Sequence, residues 1–377
     1  MSSIERYVWA EINLSAIKNN MLRLKSLLKP GVKFCPVIKA DGYGHGATAI
    51  AKEALGVGAD YLAVAVLGEA LELRAAGFTL PVLVFGHIPP ELAPVTVSKR
   101  ITQTVYTIDQ ARNLSRAALD LGLTAKIHAK IDTGMSRLGV RPEQAGEFCA
   151  ALAALPGIEL EGAFTHFATA DNLDKTLANA QFEAFKLALD GIKGQGVNLA
   201  IRHCCNSAGT MDMPQAHLDM VRPGMALYGL TPWGNILEEK ADRWPIQLEP
   251  AMKLIARLTY VKDLPKGAKV GYGAAFTAPA DMVLGTLPIG YADGYTRMLS
   301  GKAHGLVNGR KAPLVGRVCM DQCMIDLSGV PDPKIGDEVI LFGPGLPVDE
   351  LAGALGTINY ELICMVRNRV PREYVRS

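Results

Sequence analysis

ITQTVYTIDQARNLSRAALDLGLTAKIHAKI, residues 101–131, reads as a strand, a helix and a second strand. Ile101–Tyr106 and Ala125–Ile131 are short runs rich in apolar residues, and Asp109–Leu121 between them carries Leu and Ala at helical spacing. A helix between two strands carries the chain back to its starting edge, so the strands lie parallel. The alternation continues on both sides. Strands are expected at Phe34–Ile38, Tyr61–Val66, Pro81–Phe85, Leu160–Phe164, Leu199–Cys204 and Leu218–Val221, and helices at Ser15–Leu28 and Leu177–Ile192. Eight β–α repeats in about 230 residues predict a closed (β/α)8 barrel of the TIM type over residues 11–240, not an open doubly wound sheet. After Trp244 the texture changes. Leu254–Val261, Met282–Leu287, Gly305–Val307, Met324–Leu327 and Glu338–Phe342 are short β-rich runs separated by turn groups such as Asn308-Gly309. The expected fold class is therefore α/β followed by β, with a mostly β C-terminal domain over 241–377 that also takes residues 1–10.

Lys and Arg total 39 against 37 Asp and Glu, a net charge of +2 over 377 residues. That balance provides no basic field for nucleic acid and no polybasic anchor for a membrane. Glu5, Arg6, Glu11 and Lys18 interrupt the opening segment, so no signal-peptide core is present, and no uncharged apolar run reaches membrane-spanning length. A cytoplasmic protein is expected. The seven cysteines are odd in number, and neither Cys204-Cys205 nor the Cys319/Cys323 pair has zinc or thioredoxin spacing. They read as small buried thiols in a reducing compartment, with no metal site.

Val37-Ile38-Lys39-Ala40-Asp41-Gly42-Tyr43-Gly44-His45-Gly46 places Lys39 where the first strand ends. In a barrel the C-terminal strand ends form the active-site mouth. Burial there lowers a lysine's pKa and leaves a neutral amine able to condense with an aldehyde. The glycines follow G-x-G-x-G, which is not a dinucleotide spacing. Other strand ends deliver Lys130 and Arg137 (residues 130–139), His166 (165–167), His203, Asn206 and Ser207 (203–207), and Arg222 with Gly224 (221–224). Each alone is an ordinary strand-end residue. Together they predict a cationic, hydrogen-bonding pocket for a small anionic ligand, and the loops after strands seven and eight are the usual phosphate site of such a barrel.

VIKADGYGHG (37–46), KIDTGMSRLG (130–139), THFATAD (165–171), NSAGT (206–210), MVRPGMALYG (220–229), VGYGAAFT (270–277), LPIGYADGY (287–295), VGRVCMDQ (315–322) and TINYE (357–361) stand in the order in which similar motifs occur in the alanine racemases, fold-type III enzymes that use pyridoxal 5′-phosphate (PLP). The chain resembles that family over nearly its whole length. The resemblance implies a barrel plus β domain, a homodimer with two shared active sites, and Lys39 holding PLP covalently. It implies that Tyr43, Ser207, Tyr360 and the backbone of Gly224 and Met225 bind the phosphate, with Asn206 and His166 beside the cofactor. Arg222 would face the pyridine nitrogen, and Arg137 would orient the cofactor's phenolic oxygen and the substrate carboxylate. Tyr272 would come from the partner subunit with His166 behind it, and Met320 would offer its backbone N–H to the carboxylate. Lys130 matches a lysine carbamylated in many members, and Cys319, Asp321 and Tyr291 match entrance residues. Ser136 departs from the family's usual Gly or Asn, and Cys204-Cys205 replace small apolar residues. The run Cys364–Arg369 carries more charge than the family leads one to expect.

The activity this implies is interconversion of L- and D-alanine, supplying D-alanine for the cell wall. Racemisation needs one base on each face of the substrate, and Lys39 and Tyr272 would be that pair. A free tyrosine ionises near pH ~10, so positive charge and hydrogen bonds from His166 and Arg222 would be needed to favour the phenolate. An arginine at the pyridine nitrogen cannot accept a proton, which weakens the cofactor as an electron sink and disfavours transamination. The alternatives are a racemase of broader specificity, acting on serine as well, a fold-type III decarboxylase, or a non-catalytic PLP carrier. A decarboxylase would carry an acid near the pyridine nitrogen and a catalytic cysteine, where this chain has Arg222 and Tyr272. A carrier would lack the β domain.

Overall fold

The computed structural model describes residues 6–233 and 245–377, so the expected domain boundary near 240 lies outside the described residues. All eight expected barrel strands form. After β1 (Val8–Asn13) come β2 (Lys33–Phe34), β3 (Leu62–Val64), β4 (Val82–Val84), β5 (Thr102–Val105), β6 (Ala125–Lys130), β7 (Ile158–Phe164), β8 (Ile201–His203) and β9 (Met220–Val221). Strands β3 to β8 pair in sequence order, all parallel. Closure comes from β2 pairing with β9, from a parallel bridge between Val37 and Ala63, and from the N–H groups of Asp219 and Arg222, which donate to the carbonyls of Arg202 and Cys205 at 3.0 Å.

These strands are buried on both faces, which is why they read as nearly continuous apolar runs. Outward residues such as Ile38, Leu62, Val64 and Val84 pack with Ile17, Ile50 and Leu73 of the surrounding helices. Inward residues Cys35, Val37, Tyr61, Ala63, Leu83 and Met220 fill the interior. The helix expected from Asp109 runs over Ile108–Leu121. The Thr107 hydroxyl accepts from the Gln110 N–H while the Gln110 side chain accepts from the Thr107 N–H, and Gly122 ends the helix at φ 61°.

The β domain is a nine-stranded sheet. Its strands are β10 (Met252–Arg257), β11 (Tyr260–Leu264), β14 (Met282–Leu287), β15 (His304–Val307), β16 (Arg310–Val315), β17 (Cys323–Asp326), β18 (Glu338–Phe342), β19 (Arg372–Val375) and β1. The order across it is β11-β14-β17-β16-β15-β18-β10-β1-β19. A small hairpin of β12 (Lys269–Val270) and β13 (Phe276–Thr277) stands apart from it. Three features differ from the sequence expectation. The single run Leu254–Val261 is two strands, since the chain leaves β10 after Arg257 and β11 joins β14 at the sheet's edge. Strands β16 and β19 were hidden by Arg310, Lys311, Pro313, Arg372 and Glu373, which break the apolar signal. Two short helices, Val348–Leu355 and Asn359–Met365, sit in a region that reads as mostly β.

The expected division at residues 10/11 falls inside β1, which pairs antiparallel with β10 and parallel with β19 through residue 12 or beyond. Asn13 then caps the first barrel helix, Leu14–Ser26, its Oδ1 accepting from the N–H groups of Ser15 at 3.0 Å and Ala16 at 3.1 Å. Residue 13 thus ends the β sheet and starts the barrel's helical coat. Among the described residues no helix is long and apolar enough to cross a membrane. Replacing Asn13 with Ala should cost about 1 kcal/mol in a urea titration, whereas Asn13→Asp should retain most of that stability. Equal losses from both variants would show that the cap contributes nothing.

Candidate active site

The mouth of the barrel begins with an unusual turn. Ala40, Asp41, Gly42 and Tyr43 have φ values of 52°, 51°, 61° and 52°, one turn of left-handed helix directly after Lys39. For residues other than glycine that conformation costs roughly 1–2 kcal/mol each, so the surroundings must hold it. The Ala40 N–H donates to Glu69 Oε1 at 2.5 Å, and Asp41 Oδ1 accepts from the Ala47 N–H at 2.8 Å. A Cβ on Gly44 would lie 2.7 Å from the Ile363 carbonyl, so the helix Asn359–Met365 of the β domain clamps the turn from outside. The turn sends both Lys39 and Tyr43 into one cavity, with the lysine Nζ 5.9 Å from the tyrosine ring. Strain held against a reactive side chain is a mark of a functional position.

That cavity has a volume of about 530 Å³. Of the residues expected at the site, Lys39, Tyr43, Lys130, Arg137, His166, Asn206, Ser207, Arg222, Gly224, Met225 and Tyr360 line it. Tyr360 reaches it from the β domain, on the helix Asn359–Met365. Tyr272 and Met320 do not line it. They lie in the β domain, 71% and 53% exposed. Tyr291 is exposed on the same domain and Cys319 is half-buried, while Asp321 accepts a hydrogen bond from Arg369 at 2.8 Å. Arg369 also pairs with the buried Asp293, so the charged C-terminal run finds its partners within the domain. Reading the sequence missed the apolar wall of the cavity, above all Phe85 and Phe164, which a strand pattern presents as ordinary core.

Burial lowers the pKa of Lys39, and Arg137 lowers it further. Burial likewise brings Lys130 down to about 7, helped by Arg222 and Arg137. Its Nζ donates to the Ile131 carbonyl at 2.7 Å and lies 5.3 Å from the Phe164 ring, with the Arg222 guanidinium 5.1 Å from that ring. Burial, then Arg222 and Arg137, hold His166 well below the usual imidazole range, so it is neutral and does not supply the positive charge expected of it. Ser136 sits at φ 55°, which explains why Gly or Asn suits the position better. Cys204 and Cys205 are fully buried, each thiol directed at the Ala216 carbonyl. Cys364 is exposed and Cys319 half-buried, so the expectation of buried thiols fails at these two; both sit on the β domain's surface, where no core covers them.

The cavity suits a phosphorylated aldehyde. Lys39 offers an amine, Arg222 a cation, and Tyr43, Ser207 and Tyr360 hydroxyls. Gly224 leaves space that any Cβ would close, since one built there lies 2.7 Å from the Tyr43 hydroxyl. Fold and cavity together define a barrel enzyme of the kind that works on a small anionic substrate from a lysine at the mouth. The alanine racemase N-terminal domain model matches residues 12–232 and the C-terminal domain model residues 251–374. The chain therefore belongs to the alanine racemase family. An alanine racemase of Desulfovibrio desulfuricans is 54% identical over 376 residues, covering 100% of both chains, and one of Methanococcus maripaludis is 46% identical over 98% of each. The Clostridium difficile alanine racemase structure superposes with a TM-score of 0.93 at 42% identity, covering 98% of this chain and 96% of that one. The Bacillus anthracis enzyme with bound L-Ala-P gives 0.92 at 37%, covering 99% and 96%. The chain is an isomerase that interconverts L- and D-alanine, and its cofactor is PLP.

The depressed pKa of Lys130 has a testable sign. In the folded chain its pKa is about 7, against 10.5 for a free lysine. Below the folded value the buried ammonium carries its full penalty, which falls away as pH rises toward the unfolded value. In buffer free of carbon dioxide, Lys130→Met should therefore raise Tm by a few degrees near pH ~6, and the gain should shrink by pH ~10. A gain independent of pH would mean that the amine is not held in this way.

Proposed function

We propose that Lys39 and Tyr272 are the two opposed bases of the reaction, with Tyr272 supplied by a second copy of the chain. The observation that carries this reading is the separation of the two residues: Lys39 sits in the barrel cavity, while Tyr272 is 71% exposed on the β domain and lines no part of it. A homodimer would bring the tyrosine of one chain to the cavity of the other.

When bound, PLP withdraws electrons from the bonds at the substrate's α-carbon and so acidifies its proton. Lys39 would hold the cofactor, and Tyr43, Ser207, Tyr360 and the backbone of Gly224 and Met225 would hold its phosphate. Asn206 would stand beside the cofactor, and Arg222 would face the pyridine nitrogen. Arg137 and the N–H of the partner's Met320 would fix the substrate carboxylate. Lys39 Nζ would move the proton on the D face and the Tyr272 hydroxyl on the L face. Neutral His166 would back the tyrosine as a hydrogen-bond partner, and Arg222 behind it would favour the phenolate by charge. Lys130, a neutral amine above about pH 7, would be open to carbamylation, and a carbamate there would pair with Arg137. A cytoplasmic enzyme supplying D-alanine to the cell wall is the role that fits. No disulfide joins the described cysteines, and none of the described helices could span a membrane.

Two experiments test these assignments. Borohydride treatment of the loaded enzyme should fix the cofactor's mass on the peptide that contains Lys39; finding it on the peptide of Lys130 would exclude the assignment. For the tyrosine, Lys39→Ala and Tyr272→Phe homodimers should each be nearly inactive. In a hybrid dimer one site receives both wild-type residues and the other neither. An equal mixture re-pairs to about half hybrids, so activity should return to about a quarter of wild type. Activity that stays at the homodimer level after subunit exchange would place both residues of a site on one chain.

A further inference from the structure

Arg222 is only 3% exposed, and among the described residues no carboxylate contacts it. Its guanidinium donates to the carbonyls of Thr165 at 2.9 Å and Cys204 at 3.3 Å, and to His203 Nδ1 at 2.7 Å. A buried cation without a counter-ion is costly, so the route by which its charge is balanced matters. The route leads through the barrel interior. His203 Nε2 lies 2.8 Å from His128 Nδ1, and His128 Nε2 lies 3.0 Å from Glu161 Oε2. Glu161 in turn accepts from Lys126 Nζ at 2.8 Å and from the Tyr61 hydroxyl.

The donors and acceptors in this chain can be ordered in only one way while both rings are neutral. Arginine has no acceptor, so His203 Nδ1 must be the bare nitrogen and Nε2 must carry the proton. His128 Nδ1 then accepts and its Nε2–H donates to the carboxylate. Burial pushes both imidazoles below their usual range, with Arg222 adding to the effect, which keeps them uncharged. Burial alone would raise the Glu161 carboxyl, but hydrogen bonds from His128, Lys126 and Tyr61 bring it down to about 2, so it stays an anion.

Two backbone features make room for the chain. The β6–β7 ladder pairs Ile127 with Leu160 and then His128 with Gly162, so Glu161 is the extra residue of a β-bulge. Bulges re-aim side chains in this way. At Gly162 a Cβ would lie 3.0 Å from His128 Cε1 and 2.4 Å from the Ile201 carbonyl, so only glycine leaves the ring its place.

We propose that Glu161, His128 and His203 form a polarised positioning relay that balances and aims Arg222 from the far end of the barrel. The relay starts beside Lys126, about 13 Å below Lys130 along the same strand, and ends at the pocket. Glu161 and His128 touch neither substrate nor cofactor in this reading; they act through Arg222, whose cofactor-facing role is the one given in the preceding section.

The test is histidine NMR on the PLP-loaded enzyme and on the apo-protein, with ¹³C and ¹⁵N in the rings and signals assigned through His128→Phe. In the wild type both rings should carry their proton on Nε2 across the neutral pH range. Glu161→Gln keeps the side chain's size but removes the anion. It should weaken the polarisation of the His128 and His203 rings, shifting their ¹⁵N signals while Arg222 keeps each proton on Nε2, and lower kcat roughly 10- to 100-fold, as loss of an outer hydrogen-bond partner does in other sites. His128→Phe should do the same to His203, and the double variant should be no slower than His128→Phe alone. A wild-type His203 protonated on Nδ1 would overturn the relay, as would Glu161→Gln leaving the ring signals unchanged. Shifted ring signals with kcat held within about twofold would support the relay and instead sink the cofactor-facing role of Arg222.

Discussion

The pairing of Lys33-Phe34 with Met220-Val221 is the contact on which the rest of the molecule depends. It joins the first and last strands of the barrel across nearly two hundred residues of chain. Continued by the N–H of Cys35 to the Val221 carbonyl at 3.0 Å, and by Val37 to the Pro223 carbonyl at 2.9 Å, it sets Lys39 and Arg222 at adjacent strand ends. Without closure the sheet would be open, and the two residues would stand at opposite edges. Closure also creates an interior, and that interior is divided by chemistry. One side is apolar, built from Cys35, Val37, Ala63, Leu83 and Met220, and the other carries His128, Lys130, His203 and Arg222.

Charge dominates the mouth. Lys39, Lys130, Arg137 and Arg222 face one cavity in which Asp171 is the only acidic lining residue among those described. Mutual repulsion and burial act in the same direction on the two lysines, lowering the pKa of each. Such a site is electrostatically unfinished until an anion enters, which a phosphorylated cofactor and a carboxylate substrate both supply. Burial first, and this surplus after it, keep the imidazoles behind it neutral, and the surplus gives a carboxylate at the opposite end of the barrel a cation to answer.

The β domain does more than cover the barrel. The strand Val8–Asn13 belongs to its sheet, and Asn13 begins the barrel's first helix. The helix Asn359–Met365 places Tyr360 in the cavity and packs on the left-handed turn at Ala40–Tyr43. The two units are therefore joined beside Lys39 itself. That accounts for the tolerance of a strained turn: contacts from both domains over-determine it.

Much of this was written in the sequence. Short continuous apolar runs marked the eight barrel strands and period-3.6 patterns the long helices, because burial on both faces or on one fixed face leaves a local signature. Strand ends located Lys39, Lys130, His166, Ser207 and Arg222 for a related reason: parallel strands in a closed barrel all end at one mouth, so topology converts sequence position into spatial convergence. What tertiary structure alone decided was everything set by contacts between distant segments. Strands β16 and β19 form despite charged residues because their neighbours supply the hydrogen bonds. Ala40, Asp41 and Ser136 adopt left-handed backbone that their own side chains disfavour. Glu161 turns inward through a bulge that exists only in register with β6, and Tyr272 stays outside the cavity because the β domain holds it there. In each case the stabilising free energy comes from a partner far along the chain, and no local pattern records it.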